Sequence, residues 1–375
     1  MNYSPYKLIT KFIKNTGITE KKPFTRLCKA TSIPVNKDFE GFKLIYKSEN
    51  FKLHKPYFYL DPENQTNVIN FLPAQIPSHA AGIITANNVF VSLPYPVHRW
   101  KGKVFIEPMR NVSKYLSEIR YLIALESIPF SRKKKLSESI LLIMPSQDNY
   151  FHWIVETLPR LKMIEEDNRL NQLPLIVSKN RCPKFIKESL ETLGLLPKTL
   201  FLEDGVYQFE KLHLLSLLSL PSYPSPLGVE WLRQKLIKEP ITTKKRRIYI
   251  SRKDASKRQT INESEVEECL SNFGFESHCM SQYSFEEQIK IFQEAEIIIG
   301  THGAALANLV FAPSDTIFIE LLNTQKANPC YYMLASIRNL KYGFLLCENV
   351  NSNLKVNIDD LRKLVEKTLT ATTSL

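Results

Sequence analysis

The chain has 375 residues, 43% hydrophobic and 23% charged, a globular composition that excludes wholesale disorder and, at about 150 residues per domain, predicts two domains. Its 50 basic against 38 acidic residues leave a net charge of +12, which favours anionic partners (nucleic acid, anionic headgroups, phosphorylated substrates) without choosing among them. No apolar run reaches the ~18 residues of a membrane span, the lysine-dotted N-terminus lacks a signal-type apolar core, and six dispersed cysteines form no Cys-x-x-Cys pair, so a cytoplasmic protein with reduced thiols is expected.

Residues 1–135 carry the weakest pattern. Strand-like runs at Ala81–Val91 and Val104–Ile106 sit among proline-rich turns such as Leu93–Val97, and Arg132–Lys135 reads as a solvated basic cluster. Regular alternation then begins. Ser139–Met144 is a strand, Tyr150–Asp167 a helix, Leu175–Ser178 a strand, Lys184–Gly194 a helix and Leu212–Leu218 a strand. This spacing predicts β-α-β units and a parallel sheet.

Pro221–Pro226 (PSYPSP) marks a linker, followed by a helix to Lys238, Pro240 and the basic run Lys244–Arg247. A second alternating series follows: strand Ile248–Ser251, helix Ser264–Phe273, strand Phe275–Cys279, helix Ser284–Ala295, strand Glu296–Gly300, helix Ala304–Phe311 and strand Thr316–Leu321. Tyr331–Asn339 (helix), Tyr342–Cys347 (strand) and the amphipathic helix Asp359–Leu369 close the chain. The expected class is α/β, in two halves joined near residue 225: an N-terminal domain over 1–225, a C-terminal domain over 226–350 and a closing segment over 351–375.

Three stretches carry chemistry. In Glu296–Asn308 (EIIIGTHGAALAN) an apolar strand runs into Gly300 and Gly303, and a helix starts at once. Ligands of open α/β sheets bind at strand carboxyl ends, and a helix N-terminus suits phosphate. His302 lies at that turn and is able to donate to a phosphate oxygen; the alternative is a tight turn whose histidine satisfies a backbone carbonyl. Neither a Walker loop nor Gly-x-Gly-x-x-Gly is present.

In Tyr249–Arg258, Arg252, Lys253, Lys257 and Arg258 follow a strand end, where forked arginine bonds suit a diphosphate and a solvated loop is the plain alternative. Asn262 is a cap candidate for the helix that follows. In Asp148–Arg160, a helix places His152 and Glu156 on one face with Asn149 beside them, a general-base unit or an ordinary surface pair. Pro159 predicts a kink there. A second ligand pair for a metal is missing from this stretch. Tyr331, Tyr332 and Trp231 read as core, and no nucleic-acid signature appears, so no specific nucleic-acid partner is expected.

Taken in order, NYFHWIVETLPRL (Asn149–Leu161), ISRKDASKRQTINESEV (Ile250–Val266) and SFEEQIKIFQEAEIIIGTHGAALANLVF (Ser284–Phe311) resemble glycosyltransferase family 61, and Glu320 after the next strand also fits. The resemblance covers roughly residues 140–322. It implies a GT-B-like fold of two Rossmann-like domains facing across a cleft, and an inverting transferase that needs no metal or other cofactor. Arg252 and Arg258 would then neutralise the diphosphate of a nucleotide-sugar donor, and His302, Gly303 and Ala304 with Asn308 would cradle it. Glu320 would accept ribose hydroxyls, Asn149 would help bind substrate, and Glu156 or His152 would be the base, with Glu156 placed first. Ala305 stands where the family's pattern has glycine, and Ala307 where Thr or Ser is common.

The missing signal anchor points to the bacterial, capsular-polysaccharide type, acting on a glycan or lipid-linked glycan. Peripheral contact with anionic membrane through Arg132–Lys135 and Lys244–Arg247 belongs to that expectation. A catalytically silent nucleotide-sugar or glycan-binding protein of the same fold is the alternative, and a nucleic-acid binder, suggested by charge alone, comes third.

Overall fold

The computed structural model describes residues 41–58, 60, 72–93, 97–100, 103–106, 134–144, 146–239, 246–255, 257–323 and 328–373. Part of the Leu93–Val97 turn, Arg132 with Lys133, Pro240, and Lys244 with Lys245 lie outside the described residues.

The first half contains β1 (Phe42–Lys47), β2 (Phe51–Lys52), β3 (Gln75–Ile76), β4 (Ala80–Leu93), β5 (Val97–Trp100), β6 (Lys103–Ile106), β7 (Lys134–Leu141), β8 (Leu175–Ser178), β9 (Thr199–Leu202) and β10 (Gly205–Leu215). Its main sheet runs β6-β5-β4-β10-β7-β8-β9, with β1 also on β4; β2 and β3 pair separately. Only β10-β7-β8-β9 is parallel, while β4, β5, β6 and β1 extend it antiparallel. The expected parallel sheet is therefore corrected to a mixed one.

Strand β10 begins seven residues before the expected Leu212. There Tyr207 and Phe209 face the core between more exposed neighbours, a half-buried alternation that carries no continuous apolar run. Strand β7 likewise begins at Lys134, and Lys134 and Lys135 are exposed.

The second half is a more regular doubly wound unit. Strands β11 (Arg246–Ile250), β12 (Phe275–His278), β13 (Ala295–Thr301), β14 (Ile317–Asn323), β15 (Lys341–Val350) and β16 (Asn353–Lys355) lie in the order β12-β11-β13-β14-β15-β16. All but β16 are parallel. The order reverses between β11 and β13, so their carboxyl ends form the crevice where such sheets bind ligands. Arg246 and Arg247, expected in a free basic cluster, belong to β11. Arg246 pairs with Glu276 and Glu294, and Arg247 Nη1 donates to the Phe273 carbonyl at 2.9 Å.

The α-helices are α1 (Lys184–Thr192), α2 (Pro226–Leu236), α3 (Glu263–Ser271), α4 (Phe285–Gln293), α5 (Cys330–Ile337) and α6 (Ile358–Thr373). Ser284 and Glu287 close a capping box at the start of α4. Asn262 makes no side-chain cap on α3; instead its amide bonds the backbone of Val356, donating to the carbonyl at 2.9 Å and accepting from the N–H at 3.0 Å. The expected helix Tyr150–Asp167 is a π-type turn over His152–Thr157 followed by a 3-10 segment over Leu158–Ile164, and the change falls between Thr157 and Leu158, just before Pro159.

The two halves share one core. Ile140, Leu142, Trp153 and Leu158 pack in the same buried cluster as Ile248, Ile250, Phe285, Leu309 and Phe344. The opposite face of the second sheet buries Tyr249, Ile297, Ile299 and Ile319 beneath α3 and α6, through Val266, Leu270, Leu361 and Leu364. After the PSYPSP linker, α2 packs back on the first half: a Cβ on Gly228 would lie 2.7 Å from the Cβ of Pro159. Its Arg233 meanwhile donates to the carbonyls of Val310 and Ala312 at 2.9 and 3.1 Å. No described helix is long and apolar enough to cross a membrane.

Candidate functional site

Past β7 the chain turns at Asn149, whose Oδ1 accepts from the N–H groups of Phe151 (3.0 Å) and His152 (3.4 Å). Asn149 thus starts the π-type turn, as short polar side chains do at helix entries. Within that turn His152 Nδ1 lies 2.7 Å from Glu156 Oε2, and the Thr157 hydroxyl donates to the His152 carbonyl at 3.0 Å. The other Glu156 oxygen accepts the Ser222 N–H at 2.5 Å. The Glu156 side chain is 5% exposed against 16% for His152, and Nε2 of His152 has no hydrogen-bond partner among the described residues.

The surroundings hold this turn firmly. Trp153 Nε1 donates to Ser189 Oγ at 2.8 Å. Arg160, fully buried, donates to the carbonyls of Leu142 (2.6 Å) and Leu215 (3.0 Å), tying together the carboxyl ends of β7 and β10. Burying a guanidinium is costly unless its donors are met, and here backbone carbonyls meet them.

On the second half, Arg252 follows β11. Its N–H donates to Glu263 Oε1 at 2.9 Å, and that oxygen also takes the Tyr249 hydroxyl at 3.1 Å. The guanidinium is fixed by the carbonyls of Arg258 (3.1 Å) and Lys257 (2.9 Å). Burial, with the nearby Arg258 charge, pulls its pKa down, and no carboxylate pairs with it among the described residues. Arg258 itself is exposed, with φ of 57°.

The guanidinium reaches the turn after β13. A Cβ built on Gly303 would collide with Nη1 and sit 2.8 Å from Cζ of Arg252. Beside it, His302 Nδ1 lies 2.6 Å from Glu320 Oε1, whose second oxygen takes the Tyr342 hydroxyl at 2.9 Å. The Gly303 carbonyl accepts the Tyr331 hydroxyl at 2.5 Å. Aromatic contacts bridge the halves: Phe151 packs edge-on to both His152 (5.5 Å) and Tyr331 (5.6 Å), and Tyr331 to His302 (4.8 Å).

His152, Glu156, Arg252, His302, Gly303 and Ala304 therefore occupy strand-end turns near the joint between halves, with Arg258 in the exposed loop beside Arg252. Two expected substrate contacts sit differently. Asn308 is fully buried and joins the halves, accepting from the Tyr150 hydroxyl (2.6 Å) and donating to Gln288 (2.9 Å). Glu320 is 1% exposed, with one oxygen against His302 Nδ1 and the other accepting from the Tyr342 hydroxyl. Ala307 is core and Ala305 packs against it.

Sequence reasoning missed Ser222, Glu263, Arg160 and the hydroxyl roles of Tyr331 and Tyr342. The only local signal for Ser222 is its place in PSYPSP; its φ of 64° shows only in three dimensions.

The family model described as Glycosyltransferase 61 matches residues 150–319. The EGF domain-specific O-linked N-acetylglucosamine transferase of Drosophila melanogaster is 33% identical over 107 residues, 28% of this chain and 20% of that one. Beta-1,2-xylosyltransferase RCN11 of Oryza sativa subsp. japonica is 28% identical over 89 residues, 22% of this chain and 17% of that one. The Xenopus laevis EGF domain-specific transferase is 30% identical over 115 residues, 29% of this chain and 22% of that one. The chain thus spans about a fifth of the length of these relatives. All three are eukaryotic, and none is of the bacterial capsular type.

Proposed function

We propose that this protein is an inverting glycosyltransferase that takes a sugar from a nucleotide-sugar donor and places it on a glycan or lipid-linked glycan hydroxyl. The observation that carries the reading is the Arg252 guanidinium: partly desolvated, free of any described carboxylate partner, and held over Gly303 at the β11/β13 switch point. Such a cation is prepared for an anion at the position where open α/β sheets bind ligands.

In this reading the acceptor hydroxyl gives its proton to His152 Nε2 while its oxygen attacks the anomeric carbon. The bond from that carbon to the diphosphate oxygen breaks, and configuration inverts. Glu156 holds Nδ1 and stabilises the imidazolium that forms. The bonding supports His152 as the base ahead of Glu156, because both Glu156 oxygens are already engaged and Nε2 is not. Arg252, Arg258 and the 302–304 turn take up charge on the departing diphosphate, electrostatic work that otherwise falls to a metal ion.

A capsular or other surface polysaccharide acceptor, reached from the cytoplasmic face of an anionic membrane, completes the proposal; the +12 charge supports it. The test is NMR of the sugar released or transferred in the presence of EDTA. Inverted anomeric configuration with undiminished rate is expected. Retention, or loss of turnover in EDTA, would contradict it.

A further inference from the structure

Each half presents a histidine held through Nδ1 by a carboxylate, but the second pair works under a different chemical demand. Glu320 Oε1 lies 2.6 Å from His302 Nδ1, Glu320 Oε2 accepts the Tyr342 hydroxyl at 2.9 Å, and the carboxylate is buried. His302 Nε2 has no hydrogen-bond partner among the described residues.

An ionised carboxylate only accepts, so Nδ1 must carry the proton between them. A neutral imidazole has one N–H, which leaves Nε2 a bare acceptor. The diphosphate of a nucleotide sugar also offers only acceptors. The two cannot bond until the His302–Glu320 pair holds one more proton, whether that proton sits on Nε2 or is shared with the carboxylate.

We infer that Glu320 is a positioning residue that couples donor binding to proton uptake, because it commits Nδ1 and so lets His302 grip the diphosphate only with an added proton on the pair. This deepens the donor-site reading above and rests on it. It also gives Glu320 a place in donor recognition without contact to the ribose.

The groups around the pair fit this assignment. Arg252 fills the space over the neighbouring Gly303, the charges of Cys330, Glu320, Arg258 and Arg252 act on the Tyr331 phenol of α5, and Tyr342 of β15 bonds Glu320. The incoming diphosphate brings the negative charge that an added proton on the pair answers, so the proton belongs to the complex. Tyr331 and Tyr342 do not supply it: burial pushes both phenols well above their ordinary range, and their hydroxyls are committed to the Gly303 carbonyl and to Glu320.

The substitution Glu320→Gln makes a sharp test. An amide can accept from Tyr342 and donate to Nδ1, leaving the proton of a neutral imidazole on Nε2. Donor binding then needs no added proton. The probes are UDP-N-acetylglucosamine, UDP-xylose and GDP-mannose, whose diphosphate diesters do not titrate near neutrality. Calorimetry on the full chain, in buffers of differing ionisation heat, counts the protons taken up.

With whichever probe binds, the wild type is expected to take up about one proton at about pH 8, where free imidazole is neutral. Its affinity is expected to weaken by up to about tenfold per pH unit above the pair's titration. E320Q is expected to bind within about fivefold of wild type at that pH with uptake near zero, and H302Q to lose both affinity and uptake. Wild-type binding without proton uptake overturns the inference even if E320Q fails to fold, and undiminished uptake in folded E320Q does so too. Absence of binding by every probe overturns the donor-site reading itself.

Discussion

The Arg252 guanidinium fills the space that a side chain at residue 303 would need, with Cζ 2.8 Å from where a Cβ on Gly303 would stand. The φ of Gly303 is −167°, extended backbone open to any residue, so the glycine is required for room and not for conformation. Gly303→Ala must therefore push Arg252 off the β11/β13 switch point. We expect kcat/KM for the nucleotide sugar to fall about 100-fold, the order seen when one charge-stabilising donor is lost. Steady-state kinetics alongside a melting curve checks this; kinetics within about threefold of wild type would show that the guanidinium is not needed there.

The His152–Glu156 pair should behave as base and orienter. His152→Ala is expected to lower kcat by about 100- to 10,000-fold and to remove the acidic limb of the pH–rate profile. Glu156→Gln should cost less and keep that limb. If His152→Ala and Glu156→Ala each lose less than about tenfold, the pair takes no part in catalysis.

A pH effect on stability is expected from the first sheet, away from the site. Glu138 is drawn down to about 2, first by its hydrogen bond from His213 and then by Arg169 and Lys211. Burial holds His213 below its ordinary value, so the neutral ring serves Glu138 at 2.7 Å and Thr85 at 2.9 Å. Both groups bind more protons unfolded than folded, so stability must fall as pH falls: first through the ordinary histidine range, then from the ordinary carboxylate range toward about 2. Chemical denaturation across this range should show wild type losing more stability on acidification than Glu138→Gln. Parallel curves would contradict the assignment.

Ser222 separates backbone from side chain. Its N–H holds Glu156, its φ is 64°, and its buried hydroxyl has no hydrogen-bond partner among the described residues. Ser222→Gly keeps the N–H and relieves about 1 kcal/mol of left-handed strain, which offsets the roughly 0.5–1 kcal/mol entropic cost of glycine. Activity and melting temperature should both stay near wild type. Ser222→Pro removes the N–H and forbids the angle, and should lose activity at least as severely as Glu156→Gln. A Ser222→Gly variant that folds but is inactive would show that the hydroxyl itself matters.

How much of this was legible in the sequence depended on burial pattern. Parallel strands covered on both faces, such as Ala295–Thr301 and Ile317–Asn323, read directly as apolar runs and were placed within a residue or two. Half-buried strands were not: the polar first half of Lys134–Leu141 and the alternating start of Gly205–Leu215 were missed, and with them the mixed character of the first sheet. Among the site residues, the side-chain types announced His152, Glu156, Arg252 and His302. Their partners were hidden, because the Glu156–Ser222 bond closes over 66 positions and the Tyr331–Gly303 bond over 28. Local spacing carries no information about such bonds. Asn308 and Glu320 stand out in the sequence as candidate ligand contacts, but nothing there shows that one joins the halves and the other holds a histidine.

The most direct measurement is donor binding to the full chain in EDTA, for wild type and Arg252→Ala, with a panel of UDP-, GDP- and dTDP-sugars. The account predicts that at least one donor binds wild type without metal and that Arg252→Ala weakens it by at least about tenfold, the loss of a charge-assisted hydrogen bond. A folded wild type that binds none of them, or an Arg252→Ala variant that binds equally well, would contradict the donor site at the centre of this account.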